Sequence, residues 1–241
     1  MYKSIKLLLG ALVASVMLIQ SAAMAAPPKF VYRFDTRPPS DIFVNGFTSW
    51  GNNENVFAHI GGRSCIQVEG SERDSAFIAT SSDITWSTAR ALQLSMQSPD
   101  QPVYLYRIRA DAGFYPGMES LDAYARDNPE ARISPANRTV QEEAHEYLAL
   151  NRILPENIES ATRFYQWQNE VYPNSGYIAR DTHANNSAFG SQSDGVIHRF
   201  TWVLRAMPTV GACFGFFSDK SRNDNSDNVI RLESLLIPAI E

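Results

Sequence analysis

The sequence lacks the features that mark several large protein classes. It carries no run of basic residues and has a formal net charge of −5, which argues against nucleic-acid binding through bulk electrostatics. It contains no Walker loop, no GxGxxG and no GxSxG, so phosphate-loop ATPases, Rossmann dehydrogenases and α/β-hydrolases have no support. No apolar run beyond residue 25 is long enough to cross a bilayer, and we expect no membrane span.

Histidine is scarce, with four residues in the chain. The segment HEYLA at 145–149 resembles the zinc motif HExxH, but Ala149 stands where the second histidine ligand belongs. The other histidines, His59, His183 and His198, show no metal-ligand spacing. We therefore expect a protein without a metal site.

The one long apolar run lies at the N-terminus. Lys3 and Lys6 precede an apolar stretch at 7–19, and small residues at 23–25 match the site that a signal peptidase cleaves. We interpret residues 1–25 as a secretory signal peptide, with a short N-terminal anchor as the alternative. The predicted export route leads through the periplasm, which is an oxidising compartment.

Cysteine is rarer still, since Cys65 and Cys213 are the only two. In an exported chain an even pair favours a disulfide, and two unpaired buried thiols are the alternative. The bridge would close a loop of about 150 residues, for which the chain-entropy model gives on the order of 5 kcal/mol as an upper value. Two thiols do not complete a structural zinc site without histidines nearby.

Hydrophobic patterning predicts a single α+β domain with a mixed, mostly antiparallel sheet. Strands are predicted at 29–35, 75–80, 103–110, 160–166 and 198–206, and helices at 39–44, 85–97 and 121–126. Loops are predicted at 50–75 and 185–194, and residues 111–140 read as polar and irregular around the last helix. Residues 147–150 fit a helix or a strand equally well.

Three polar side chains occupy unusual places. Arg33 lies in a predicted half-buried strand beside aromatic residues, where a charge needs a partner or an anionic ligand. A surface arginine paired with Asp35 is the alternative. His59 lies in the predicted Gly-rich loop before Cys65, and Glu146 heads an apolar run. A satisfied loop histidine and a solvated helix-cap acid are the corresponding alternatives.

The order and spacing of the motifs resemble those of the bacterial ADP-ribosyltransferase toxins of the pertussis type. The resemblance extends over roughly 31–213. It rests on VYRFDTRPP at 31–39, NGFTSWGNN at 45–53, His59, GRSC at 62–65, SAFIATSS at 75–82, RAD at 109–111, FY at 114–115, EYLA at 146–149, PENI at 155–158 and GAC at 211–213. It implies a catalytic domain at 26–213 and a separate C-terminal segment at 214–241.

The resemblance implies transfer of ADP-ribose from NAD, as co-substrate, to a host protein with release of nicotinamide. Breaking the nicotinamide–ribose bond passes through an oxocarbenium-like state, and the family pattern gives Glu146 the role of binding the ribose 2′-hydroxyl. Arg33 matches the arginine that anchors NAD and holds the cleft, and His59 matches the histidine that orients or activates the acceptor. Trp50, Thr80 and Ser81 match residues of the NAD pocket, with Trp50 offering an aromatic face.

Two departures from the family pattern bear on activity and target. Ala79 replaces the serine that normally steadies the catalytic glutamate, so another group has to do so or activity is lower. Ala144 replaces the second glutamate of arginine-modifying relatives, and Glu143 is one residue out of register. A cysteine acceptor needs no such base, because a thiolate is already nucleophilic. We therefore expect a cysteine of a Gi-type G-protein α subunit as target, with an arginine, lysine or asparagine acceptor or a non-catalytic secreted binding module as alternatives.

The C-terminal segment and the disulfide carry two further expectations. The stretch at 229–240 is apolar for a tail, and we expect it to dock on a receptor-binding B oligomer, a pentamer in an AB5-type toxin. Completion of the domain's own core is the alternative. Because the host cytosol favours free thiols, reduction of the Cys65–Cys213 bridge is expected to act as a switch that loosens the site near His59.

Overall fold

A seven-stranded sheet runs through the part of the chain that the computed structural model describes, residues 26–65, 72–132, 135–165, 168–190 and 212–214. In chain order the strands are β1 Phe30–Asp35, β2 Phe47–Thr48, β3 Phe77–Ser81, β4 Val103–Arg109, β5 Phe114–Pro116, β6 Glu146–Leu150, β7 Arg152–Ile153, β8 Ile158–Tyr165 and β9 Gln168–Pro173. The large sheet has the antiparallel order β5-β6-β3-β1-β4-β8-β9, and β2 pairs with β7 in a small second sheet. The predicted α+β, mostly antiparallel architecture is confirmed.

Two of the helices among the described residues begin within one residue of their predicted starts at 39 and 85, whereas the helix predicted at 121–126 begins earlier, at Gly117. The helices are α1 Pro39–Asn45, α2 Val56–Ile60, α3 Ile84–Gln97, α4 Gly117–Asp127 and α5 Pro135–Ala144, with 3-10 turns at Arg63–Cys65, Pro155–Asn157 and Ala212–Phe214. Pro39 lies in the first turn of α1, where its fixed φ and missing N–H are tolerated. The Asp83 carboxylate accepts hydrogen bonds from the backbone N–H groups of Thr85 and Trp86 at the start of α3.

β1 lies at the centre of the sheet, between β3 and β4. Val31 packs in one buried cluster and Phe34 in another, as expected for strand positions of opposite parity. Arg33 and Asp35 are buried as well. The alternative of a surface Arg33 is therefore wrong, because the face of β1 that carries Val31, Arg33 and Asp35 is buried, whereas Phe30 and Tyr32 on the opposite face are partly exposed.

Residues 50–75 and 111–140 contain more regular structure than the sequence predicts. α2 lies in the first segment, where the Asn55 side chain accepts a hydrogen bond from the Ala58 N–H and caps the helix. His59 is thus part of a buried helical turn, and its predicted place in a loop is wrong. β5, α4 and most of α5 lie in the second segment, where Leu121 and Tyr124 of α4 pack with apolar residues of α2 and β3.

The structure decides between helix and strand at 147–150 and adds β9, a strand that the sequence did not predict. Residues 147–150 are strand, because β6 pairs with β3 on one side and β5 on the other. β9 was not predicted, since its residues are largely polar and exposed and its pairing is with β8. The predicted signal peptide, the strand at 198–206 and the C-terminal stretch at 215–241 lie outside the described residues. Within the described ranges, no helix is long and apolar enough to cross a membrane.

Candidate active site

Glu146 and His59 form a buried pair. The Nε2 atom of His59 lies 3.5 Å from Oε1 of Glu146, and neither side chain is more than 1% exposed. Glu146 is the first residue of β6 and pairs with Ser81 of β3. α5 ends at Ala144, and His145 adopts a left-handed φ of 46° that turns the chain from helix into strand. Glu146 is therefore not a solvated helix-cap acid, and that alternative is wrong.

Both oxygen atoms of the Glu146 carboxylate are available to accept hydrogen bonds from a ligand. Among the described residues, neither of its oxygens receives one. Burial of a carboxylate without donors is costly, so this arrangement suits a ligand that brings a hydroxyl group. Gly117 stands directly against Glu146, since a Cβ at Gly117 would lie 3.1 Å from the Glu146 carbonyl oxygen and 3.3 Å from its Cβ.

His59 is held from its other nitrogen by Ser75. The Ser75 Oγ lies 2.7 Å from His59 Nδ1 and also accepts a hydrogen bond from the Phe77 backbone N–H at 3.1 Å. The Phe77 ring packs edge-on against the imidazole, with the ring centroids 5.5 Å apart. Because Nδ1 is held by Ser75, Nε2 is directed at Glu146.

Arg33 connects β1, β3 and the disulfide. Its Nη1 donates hydrogen bonds to the carbonyl oxygens of Ala79, at 2.8 Å, and of Cys213, at 3.1 Å. β1 and β3 share one registered pair, Tyr32 with Ser81. The guanidinium therefore bridges two strands that hardly pair with each other through their backbones.

The charge of Arg33 is balanced by acids inside the protein. Burial lowers the pKa of Arg33 to about 10, although the charges of Asp35 and Glu146 oppose this shift. Asp35 lies 3.8 Å from Arg33 Nε and accepts hydrogen bonds from Arg37. Burial alone would raise the pKa of Asp35, but the hydrogen bonds and the charges of Arg37 and Arg33 outweigh burial and lower it.

Trp50 is half-buried beside the same core cluster that contains Phe34 and Ala79. The guanidinium carbon of Arg73 lies 5.0 Å from the centroid of the Trp50 ring, a cation–π distance. The Arg73 guanidinium thus packs over the ring that the family pattern assigns to the NAD pocket.

The hydroxyl groups of Thr80 and Ser81 donate hydrogen bonds to backbone carbonyl oxygens on either side of Glu146 in the sequence. Thr80 Oγ1 donates to the carbonyl oxygen of Tyr147 at 2.7 Å, and Ser81 Oγ donates to that of Ala144 at 2.5 Å. The contacts of both hydroxyls therefore hold the chain on either side of Glu146. Their predicted part in an NAD pocket stays a prediction.

The predicted disulfide between Cys65 and Cys213 is confirmed, and the alternative of unpaired thiols is wrong. The bridge lies against His59, whose Nδ1 is 3.4 Å from Cys65 Sγ and whose carbonyl oxygen is 3.0 Å from Cys213 Sγ. Next to it, the Phe214 ring packs on Phe34 and Trp86. The turn at Ala212–Phe214 is thereby fastened to the site.

A family model described as pertussis toxin, subunit 1 matches residues 26–229, a span that contains all of these side chains. The chain belongs to the pertussis toxin subunit 1 family. It is a toxin ADP-ribosyltransferase, so NAD is its co-substrate, and the resemblance seen in the sequence is confirmed.

Individual relatives agree with this assignment. Pertussis toxin subunit 1 of Bordetella pertussis is 38% identical over 216 residues, which cover 81% of this chain and 77% of the relative. The ADP-ribosylating toxin CARDS of Mycoplasma pneumoniae is 38% identical over 95 residues, which cover 38% of this chain and 15% of that toxin. The solved structure EcPltA has a TM-score of 0.59 and 32% identity, covering 70% of this chain and 98% of that one.

The structure thus brings together most of the residues that the family pattern selects, and adds others. Arg33, His59 and Glu146 share a site with the disulfide. Sequence reasoning did not select Ser75, which holds His59, nor Arg73, which lies over Trp50. Ser75 heads one of the quoted motifs, so its position offered a signal, whereas nothing in the local sequence sets Arg73 apart.

Proposed function

We propose that this chain transfers ADP-ribose from NAD to a cysteine of a host heterotrimeric G-protein α subunit of the Gi type. The observation that carries the proposal is the buried Glu146–His59 pair, with the methyl group of Ala144 two residues before the glutamate. The first feature supports the reaction, and the second supports the acceptor.

In this proposal Glu146 stabilises the transition state. As the nicotinamide–ribose bond lengthens, positive charge develops on the ribose. A carboxylate that accepts a hydrogen bond from the 2′-hydroxyl binds this state more strongly than the ground state, and such differential binding accelerates the reaction. The His59 side chain, whose Nε2 atom lies 3.5 Å from Oε1 of Glu146, holds that carboxylate in position, the role of the serine that Ala79 replaces.

Arg33 and Trp50 are assigned to NAD itself. Arg33 supplies a planar fork of donors suited to the phosphates of NAD, and the Trp50 ring supplies a flat apolar face. Thr80 and Ser81 complete the wall at β3. His59 is assigned to the acceptor side as a general acid–base group.

The acceptor assignment rests on what surrounds position 144. Ala144 is fully buried, and its carbonyl oxygen is engaged by Ser81. Glu143 is exposed. Burial lowers the pKa of Arg90 on α3, and the charge of Glu143 opposes this shift. No carboxylate thus takes the place of the second glutamate among the residues described around Glu146, which favours a thiol acceptor over a guanidinium.

The proposal includes a route and a partner. Residues 1–25 direct export through the periplasm, the domain at 26–213 acts in the host cytosol, and the C-terminal stretch at 214–241 docks on a pentameric receptor-binding B oligomer.

The test uses the mature protein, reduced, with NAD and a purified Gi-type α subunit. Intact mass and peptide mapping should find one ADP-ribose on a cysteine of the α subunit. Glu146→Gln should lower the rate by more than about a thousandfold with an unchanged circular dichroism spectrum, because the variant loses the charge that stabilises the oxocarbenium-like state.

Controls separate the alternatives. Glu143→Gln, one residue out of register and exposed, should keep activity within about twofold of the parent protein. ADP-ribose on an arginine, lysine or asparagine would contradict the cysteine assignment alone. Neither transfer nor Glu146-dependent release of nicotinamide would instead favour a non-catalytic binding module.

A further inference from the structure

The disulfide and His59 form a buried cluster of possible metal ligands, and its two sulfur atoms take no part in the proposed reaction. The two sulfur atoms of Cys65 and Cys213 and one nitrogen of His59 all lie within 4.8 Å of one another, and all three residues are buried. Two thiolates and an imidazole are the ligands that Zn²⁺ prefers. The sequence spacing predicted no metal site, since Cys213 joins His59 and Cys65 only through tertiary packing.

One ligand separation already matches a tetrahedral centre, and the two sulfur atoms reach theirs only by moving apart once the bridge is open. With zinc–sulfur and zinc–nitrogen bonds of about 2.3 and 2.0 Å, two ligands of a tetrahedron lie roughly 3.5 Å apart. The Nδ1 atom of His59 lies 3.4 Å from Cys65 Sγ. In the disulfide the two sulfurs are bonded to each other and carry no charge, so the oxidised protein cannot offer this site.

We propose that reduction of the Cys65–Cys213 disulfide creates a Zn²⁺ site with two cysteine ligands and one histidine ligand. Two equivalents of a thiol reductant become a disulfide as Cys65 and Cys213 become thiols. Zinc then binds both sulfurs with release of their two protons, and the lone pair of His59 Nδ1 completes three protein ligands. The fourth position takes water, as in zinc sites that keep an open position.

The second nitrogen of His59 supports the assignment. Metal-binding histidines usually donate their other N–H to a carboxylate, which fixes the tautomer and raises ligand basicity. The Nε2 atom of His59 lies 3.5 Å from Glu146 Oε1, in the place of that carboxylate. Metal binding requires Nδ1 to exchange its contact with Ser75 Oγ, now at 2.7 Å, for the metal.

Zinc at this site inhibits ADP-ribose transfer, because it holds His59 as a ligand and fixes the Nε2–H group on the Glu146 carboxylate, which then has less acceptor capacity for the ribose hydroxyl. This consequence rests on the proposed function, whereas metal binding does not. Zinc would therefore counteract the reductive activation that the disulfide suggests.

Cobalt provides the first test, since Co²⁺ replaces Zn²⁺ and gives a thiolate charge-transfer absorption. The mature protein is reduced with a water-soluble phosphine, which becomes its oxide, and titrated with Co²⁺ and then Zn²⁺. We expect one metal ion per chain, with the absorption removed by Zn²⁺. The same chain with its disulfide intact is the matched control and should show no absorption. Equal uptake by both forms, or none by the reduced form, would overturn the proposal.

Histidine variants test the third ligand. Reduced His59→Asn should bind metal more than about tenfold more weakly than the parent, while His183→Asn, in an exposed loop, should bind as the parent does. Equal affinity of the two variants would mean a site of two cysteines alone, as an unfolded chain would also give, and would refute the assignment. Glu146-dependent activity that resists zinc at full occupancy would refute the inhibition but leave the metal site standing.

Discussion

Ser75 shows how one hydroxyl group can set the geometry of a site. Ser75 is fully buried, and its Oγ atom lies 2.7 Å from His59 Nδ1 and accepts a hydrogen bond from the Phe77 backbone N–H. A hydroxyl held in this way determines where the imidazole can point, and therefore that Nε2 faces Glu146. Ser75 touches no reacting atom and acts as a positioning residue.

Ser75→Ala should lower the turnover number for ADP-ribose transfer about tenfold, because His59 loses its fixed orientation, and should leave the KM for NAD nearly unchanged. Ser64→Ala is the matched control, since Ser64 is buried nearby and its hydroxyl approaches Cys65 Sγ at 3.9 Å rather than His59. Steady-state kinetics over a range of pH checks both variants. A loss confined to stability, with normal turnover and an unchanged pH profile, would contradict the positioning role.

At the scale of the secondary-structure element, β1 places two buried charged side chains, Arg33 and Asp35, at the centre of the sheet. Arg33 joins β1 to β3 through the Ala79 carbonyl, and Asp35 balances that charge while holding Arg37. Removal of one member of a buried ion pair leaves an uncompensated charge, which is strongly destabilising. The acid of β1 therefore contributes to stability as well as to the site.

Asp35→Asn should lower the free energy of unfolding at pH 7 by about 3 kcal/mol. The folded pKa of Asp35 lies below its ordinary value of 3.8, so its charge stabilises the fold fully above that pH. This stabilisation is lost as the pH falls through the lowered, folded pKa. The difference between parent and variant should thus be constant near neutrality and shrink below about pH 3.8, as urea unfolding at several pH values would measure.

Asp181→Asn is the matched control for that series. Asp181 also has a lowered pKa, from its hydrogen bond and ion pair with Lys29, but it is exposed. Its loss should change unfolding much less than the loss of Asp35. Equal effects of the two substitutions would show that burial of the β1 charges contributes little.

For the whole molecule, the disulfide ties the far C-terminal turn of the described chain to its catalytic core. The bridge spans 148 residues, and the Cys213 carbonyl accepts a hydrogen bond from Arg33. The same guanidinium is proposed to bind NAD. The oxidised form therefore occupies a donor that the substrate needs.

Reduction in a buffer freed of metals should raise Glu146-dependent NAD hydrolysis by about tenfold. In the oxidised protein, NAD binding requires Arg33 to release its hydrogen bond to the Cys213 carbonyl oxygen. A hydrogen bond from a charged donor is worth roughly 1.5 kcal/mol, which corresponds to about a tenfold change in rate. Release of nicotinamide from the oxidised and the reduced protein measures the effect. Equal rates in the two forms would contradict a switch at the disulfide.

The sequence alone was sufficient for the α+β class and the starts of α1 and α3, because periodicity and capping are local properties. It selected Arg33, His59 and Glu146 through the family resemblance, and their catalytic roles stay predictions. Tertiary structure decided the burial of β1, the helical setting of His59 and its contacts with Ser75, Glu146 and both cysteines. Those features depend on which strands and turns meet, and segments distant along the chain meet only when the sheet assembles.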